Sequence, residues 1–301
     1  MLSKSSNAQH QPITNLSYLK RSKSIAILGA SACLALTLGA CSQENSPNET
    51  ATVAENAPQT TQPSEAIRIA AAANLSDVLS EIIEGYKKDK NLPNQKIEVT
   101  FASSGKLYSQ ITAGAPYDIF LAANQEFPAK LVDEMFKGDS SHTPFTYTQG
   151  QLSIYSATKP VDSLNQSTLT ELLKRDDKTK ITIANPELAP YGESAKAYLQ
   201  AQNLYDSLTA QKRIIQAENI GQAFQYAHTG NVDYGFVAQS QVTATKATPE
   251  QFYILPADSY PAILQDGIVI TDIASAADFT DYLRSPAGQA YFANAGYLAV
   301  K

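Results

Sequence analysis

Four short segments carry the residue types best suited to chemistry: Ala73-Asn74-Leu75-Ser76, Ser103-Ser104-Gly105, Ala189-Pro190-Tyr191-Gly192 and Asn219-Ile220-Gly221. Each lies between a β-rich run and an amphipathic one, so each puts a small or neutral polar residue at a helix start. The first N–H groups of a helix have no partner inside it, and its aligned peptide dipoles place about half a positive charge there. Several such ends converging form an anion site with no basic side chain. Taken singly, Asn74 or Ser104 is more simply an ordinary cap, worth about 1 kcal/mol to its helix. Other chemistries find less support. Of the three histidines, His10, His142 and His228, none neighbours a Gly-x-Ser-x-Gly elbow or a partner at metal-ligand spacing. Both cysteines, Cys33 and Cys41, fall near the start, so the rest of the sequence offers neither a disulfide nor a thiolate site. It holds no Gly-x-x-x-x-Gly-Lys-Ser/Thr phosphate loop.

Strands and helices must hold these segments in place. From Ala66 onward a β-rich run, a polar turn and an amphipathic stretch recur. Ile67 to Ala72 predicts a strand, and Leu75, Val78, Leu79, Ile82, Ile83 and Tyr86 follow at helical spacing. Ile97 to Ala102 alternates as a strand; a helix with Leu107 and Ile111 follows and stops at Gly114. Further strands are predicted from Asp118, Leu152, Ile181, Ile214, Tyr234 and Ile268, with a last helix from about Ala276 to Gly288. This alternation predicts an α/β fold with mostly parallel sheets and ligand sites at the carboxyl ends of strands.

The chain has 301 residues, 43% hydrophobic and 17% charged, with a formal net charge of −6. Disorder would need fewer apolar and more charged residues, and an acidic balance argues against nucleic acid as the main partner. The average conceals distinct segments. Residues 1–41 hold Lys4, Lys20, Arg21 and Lys23, no acidic residue, and an uncharged run from Ile25 to Ala40. That run is below the ~20 residues needed to span a membrane. Basic start, apolar core and small closing residues predict an export signal. Its end, Leu38-Gly39-Ala40-Cys41, resembles a bacterial lipoprotein cleavage box, which implies acylation of Cys41. Residues 42–65 are polar and Pro-containing and predict a flexible tether with a reach of roughly 25 Å. Without residues 1–41, Lys+Arg falls by those four from 23 to 19 against 29 Asp+Glu, so the exported part carries −10.

The turns and their neighbours resemble the periplasmic molybdate-binding proteins of ABC importers. The matching stretches are Ala71-Ala-Ala-Asn-Leu-Ser-Asp-Val-Leu79, Phe101-Ala-Ser-Ser-Gly-Lys-Leu107 and Gln110-Ile-Thr-Ala-Gly-Ala-Pro-Tyr-Asp-Ile-Phe-Leu-Ala-Ala-Asn124. Further on come Ile183-Ala-Asn-Pro-Glu-Leu-Ala-Pro-Tyr-Gly192, Asp281-Tyr-Leu-Arg-Ser-Pro286 and Phe292-Ala-Asn-Ala-Gly-Tyr297. The resemblance implies a two-lobe, type II-like periplasmic binding protein. Residues 66–148 plus 259–301 would form one lobe and 149–258 the other. It implies an oxyanion held by Asn74, Ser104, Tyr191 and the Ile220 N–H, with Ala73, Ser103 and Ala238 in secondary positions. Some relatives carry a tyrosine ligand where Ala238 stands, and Tyr191 would supply the missing hydroxyl from across the cleft. It further implies molybdate or tungstate as ligand, no catalysis, no cofactor and no direct cation ligands. The implied protein is a monomer in the periplasm, tied to a membrane by its lipid, serving a permease and its ATPase.

An acidic domain repels a dianion at long range, so its binding energy must come from dipoles and neutral donors at short range. Rival readings are another oxyanion such as sulfate, or ferric ion on the phenolates of Tyr191, Tyr226 and Tyr234. A hydrolase is weaker still, because His142 and His228 read as surface residues.

Overall fold

The computed structural model describes residues 66–175 and 178–300. The predicted signal and tether, with Cys41, lie outside the described residues. Among the described residues ten strands form two five-stranded sheets. The first contains β1 (Ile67–Ala72), β2 (Ile97–Ala102), β3 (Ile119–Leu121) and β4 (Phe145–Gly150). The second contains β5 (Leu152–Tyr155), β6 (Ile181–Ala184), β7 (Ile214–Ala217), β8 (Tyr234–Ala238) and β9 (Phe252–Ile254). The chain then returns to the first sheet as β10 (Ile263–Val269). The orders are β2-β1-β3-β10-β4 and β7-β6-β8-β5-β9. The backbone thus passes between sheets at Gln151 and again between Ile254 and Ile263.

Both sheets are mixed, and in each, four of the five strands run the same way, as expected of mostly parallel sheets. β1 pairs in parallel with β2 and β3, and β6 with β7 and β8. One reversed strand in each sheet makes the antiparallel pairs: β10 with β3 and β4, β5 with β8 and β9. These reversed strands are the first that the chain lays down after each passage.

Helices cover both faces. In the first lobe they are α1 (Ser76–Asp89), α2 (Ser104–Thr112) and α3 (Glu126–Met135). The second lobe has α4 (Gln166–Lys174), α5 (Pro190–Ala201), α6 (Tyr205–Ala210), α7 (Ile220–His228) and α8 (Gln239–Ala244). Finally α9 (Ala274–Arg284) and α10 (Pro286–Asn294) pack back on the first lobe. The predicted last helix is therefore two. Ser285 is extended at φ −66°, ψ 162° before Pro286, as the residue preceding proline must be. On the first sheet Ile69, Leu79, Ile82, Tyr86 and Phe279 fill one face and Phe120, Leu107, Ile111 and Leu131 the other. On the second, Ile181, Ile183, Tyr198 and Phe236 pack together, and Tyr155, Phe224 and Val237 form a further cluster. Interior strands buried on both faces lose alternation and read as continuous apolar runs.

Candidate functional site

All four sequence segments follow strands that run in parallel, so their carboxyl ends share one side of each sheet. β1 leads through a 3-10 turn, Ala73–Leu75, into α1; β2 leads to α2, β6 to α5 and β7 to α7. The lobes meet there around a small cavity. Its wall includes Ala73, Asn74, Ser103, Ser104, Tyr191 and Ile220, and none of its lining residues is charged. The first turns of α2, α5 and α7 border it. Ala238 does not line it: buried at the start of α8, its N–H donates to Gln241 Oε1 at 3.0 Å.

The ordinary-cap reading fails for Asn74 and Ser104 and holds for Asn219. Asn219 Oδ1 accepts from the Gln222 N–H at 3.0 Å, a regular cap that leaves the N–H groups of Ile220 and Gly221 outside the helix ladder. Ser104 Oγ instead accepts from the Ala123 N–H at 2.9 Å, which leaves its own proton for the cavity. Asn74, 1% exposed, sends Nδ2 to Gln265 Oε1 and Tyr297 Oη, both at 3.0 Å. Two buried wall atoms, Asn74 Oδ1 and Ser103 Oγ, have no protein partner. An orphaned buried polar atom costs about 1–3 kcal/mol, so two on one wall mark a place built for something else to fill. Tyr191 Oη accepts from Gln265 Nε2 at 3.2 Å, leaving its proton free as well. Burial first, then the neighbouring Tyr297 and Tyr260, pushes the Tyr191 phenol well above its ordinary value, so it stays a donor.

The cleft is closed. The Gly105 N–H donates to Leu188 O at 2.9 Å, and Ser240 Oγ to Asn74 O at 3.1 Å. Lys106 pairs with Glu218 across the mouth. Both side chains are about half exposed (48% and 47%), so that pair contributes only about 0–1 kcal/mol. Gly150 lets the two walls approach: a Cβ there would overlap Tyr191 Oη and lie 2.7 Å from Gln265 Nε2. Asp118 stays outside the cavity, where its carboxylate accepts from the Arg68 N–H at 2.7 Å and from Thr271 Oγ1 at 3.0 Å.

The rival sites are not assembled. Of Tyr191, Tyr226 and Tyr234 only Tyr191 reaches the cavity wall. Among the described residues no group of three His, Cys, Asp or Glu could hold a metal ion. His142 Nδ1 lies 2.9 Å from Val269 O and His228 Nδ1 the same distance from Tyr155 Oη, both away from the cleft. Sequence reasoning missed Gln265 and Tyr147.

Two α/β lobes joined by two passages and closed on an uncharged cavity define a solute-binding protein. The bacterial extracellular solute-binding protein family matches residues 67–298, and the chain belongs to that family, which binds solutes and is not enzymatic. It is 35% identical over 224 residues to the molybdate-binding protein ModA of Azotobacter vinelandii, covering 73% of this chain and 84% of that one. Against ModA of Rhodobacter capsulatus the identity is 32% over 232 residues, 76% of this chain and 86% of that one. The solved periplasmic molybdate-binding protein of Azotobacter vinelandii superposes with a TM-score of 0.70 at 32% identity, covering 78% of this chain and all (100%) of that one.

Proposed function

We propose that the chain captures molybdate, and tungstate with it, in this cavity and delivers the anion to an ABC permease and its ATPase. The observation that carries the reading is the uncharged buried wall with free hydroxyl protons and three helix N-termini. Asn74, Ser104, Tyr191 and the Ile220 N–H are the ligand set, with Ala73 and Ser103 beside them. Micromolar to nanomolar binding needs only about −8 to −12 kcal/mol net. A few charge-assisted hydrogen bonds at about 1.5–3 kcal/mol each can supply that after desolvation. The passages at Gln151 and 255–262 serve as the hinge, and closure is the signal the permease reads. Acylated Cys41 and residues 42–65 would hold the monomer at a membrane on the periplasmic side.

Competition calorimetry on the exported part tests this. Molybdate and tungstate should both bind with micromolar affinity or better, and sulfate more weakly because it is smaller. Ser104→Ala should weaken molybdate by about tenfold, the loss of one charge-assisted bond. No heat from either molybdate or tungstate sinks the reading.

A further inference from the structure

Gln265 joins the two walls. It lies in β10, is fully buried (0% exposed), and its amide meets a candidate ligand side chain from each lobe. Oε1 accepts from Asn74 Nδ2 at 3.0 Å and lies 3.0 Å from Tyr147 Oη, while Nε2 donates to Tyr191 Oη at 3.2 Å. The other Asn74 Nδ2 hydrogen goes to Tyr297 Oη at 3.0 Å. Both amide hydrogens of Asn74 thus face protein, and its unpartnered Oδ1 is the atom left for the cavity.

An amide is a donor on one side and an acceptor on the other, with nearly the same shape. Turning both amides over keeps the contacts and reverses their polarity. Gln265 Nε2 then donates to Asn74 Oδ1, and Tyr191 gives its phenol proton to Gln265 Oε1, so the donor facing the cavity passes from the Tyr191 hydroxyl to the Asn74 amide. Tyr147 keeps donating to Ala122 O at 2.8 Å, and Tyr297 Oη, which donates to Asn74 O at 2.8 Å, shares its proton between that oxygen and Oδ1. No acceptor is orphaned, and Asn74 offers N–H to the cavity. Neither amide turns alone: Asn74 by itself would set oxygen against oxygen, and Gln265 by itself would set N–H against N–H.

We propose that Gln265 is the positioning residue that sets the polarity of the cavity, its amide deciding whether Asn74 meets the ligand as donor or as acceptor. This rests on the oxyanion reading above. A fully deprotonated anion selects the donor arrangement. A protonated one, such as hydrogen phosphate, brings an O–H and takes the acceptor arrangement. Their relative affinity follows the energy difference between the two arrangements, which residue 265 sets without touching either anion. The titratable groups facing position 265 are the phenols of Tyr147, Tyr191 and Tyr297, all raised by burial and so protonated. The adjacent Asp266 carboxylate turns to Gln125 Nε2 at 3.2 Å.

Gln265→Glu is the test. A carboxylate only accepts, so it holds Asn74 Nδ2, draws the Tyr191 proton and fixes Asn74 Oδ1 toward the ligand. At about pH 8.5 sulfate and hydrogen phosphate are both dianions, and only the second carries a proton. By competition calorimetry, molybdate and sulfate should each weaken at least about tenfold more than hydrogen phosphate. Gln265→Met, which imposes no polarity, should weaken all three alike. Equal losses for the three anions in Gln265→Glu overturn the proposal. If the buried carboxylate prevents folding, wild-type protein labelled with 15N decides the matter. Its Asn74 side-chain amide signals, assigned with Asn74→Asp, must move further with molybdate than with hydrogen phosphate, and equal movement overturns the proposal. Wild-type protein that binds none of these anions overturns the oxyanion reading, and this inference with it.

Discussion

Gly150→Ala lowers molybdate affinity by about 30- to 100-fold while the chain still folds, the equivalent of about 2–3 kcal/mol. Gly150 closes β4, beside the point where the backbone leaves the first sheet. The added Cβ falls on Tyr191 Oη and close to Gln265 Nε2. Neither has room to yield: Tyr191 is 2% exposed and Gln265 is 0% exposed. Overpacking a well-filled interior costs about 1–3 kcal/mol. Here most of it falls on the closed form, because Tyr191 comes from the second lobe and withdraws when the lobes part. Calorimetry reads the affinity, and small-angle scattering shows whether saturating molybdate still compacts the domain. Binding within threefold of wild type would show that the walls do not meet at Gly150.

Arg213→Ala lowers stability by about 3 kcal/mol, or roughly 6–12 °C in Tm for a domain of this size, without altering affinity. Arg213 is 5% exposed beside β7. Its Nη1 donates to Leu173 O at 3.0 Å and Arg175 O at 2.8 Å, and its Nε to Thr179 O at 2.9 Å. The guanidinium thus gathers carbonyls at the end of α4, where the helix dipole is negative, and ties them to the approach to β6. Truncation strands those acceptors in a buried place, which costs more than the bonds are worth net. Arg213→Lys keeps the charge without the planar fork and should recover only part of the loss. Thermal unfolding followed by circular dichroism measures it, and a shift below about 2 °C would mean that water replaces the side chain.

The four cavity-lining turns were legible because each is local: a strand end, a small residue and a helix start within a few positions. The polar framework behind them was not. Asn74 and Gln265 are 191 residues apart in sequence, and Gln265 is a neutral amide in an apolar strand with no motif around it. A buried Gln-Asp pair inside Ile263–Val269 was the available signal, since a polar residue in such a strand needs a partner. The one reversed strand in each sheet was also hidden. Alternating strands and helices suggest parallel pairing, whereas β5 and β10 reverse because the chain changes lobes just before each. Pro286 did announce the break in the last helix, and the expected span of Ala276 to Gly288 ran through it. The cap reading of Asn74 and Ser104 was reasonable on residue type. It failed because tertiary partners take both side chains.

Tyr297 reaches Asn74 with both its phenol proton and its oxygen, and the next residue, Leu298, pairs with Gln149 on β4. A tag or reporter fused behind these residues would sit on the same lever as the anion. A fluorophore placed there should sense occupancy of the cleft, and trimming residues 297–300 would blunt recognition while leaving both sheets whole.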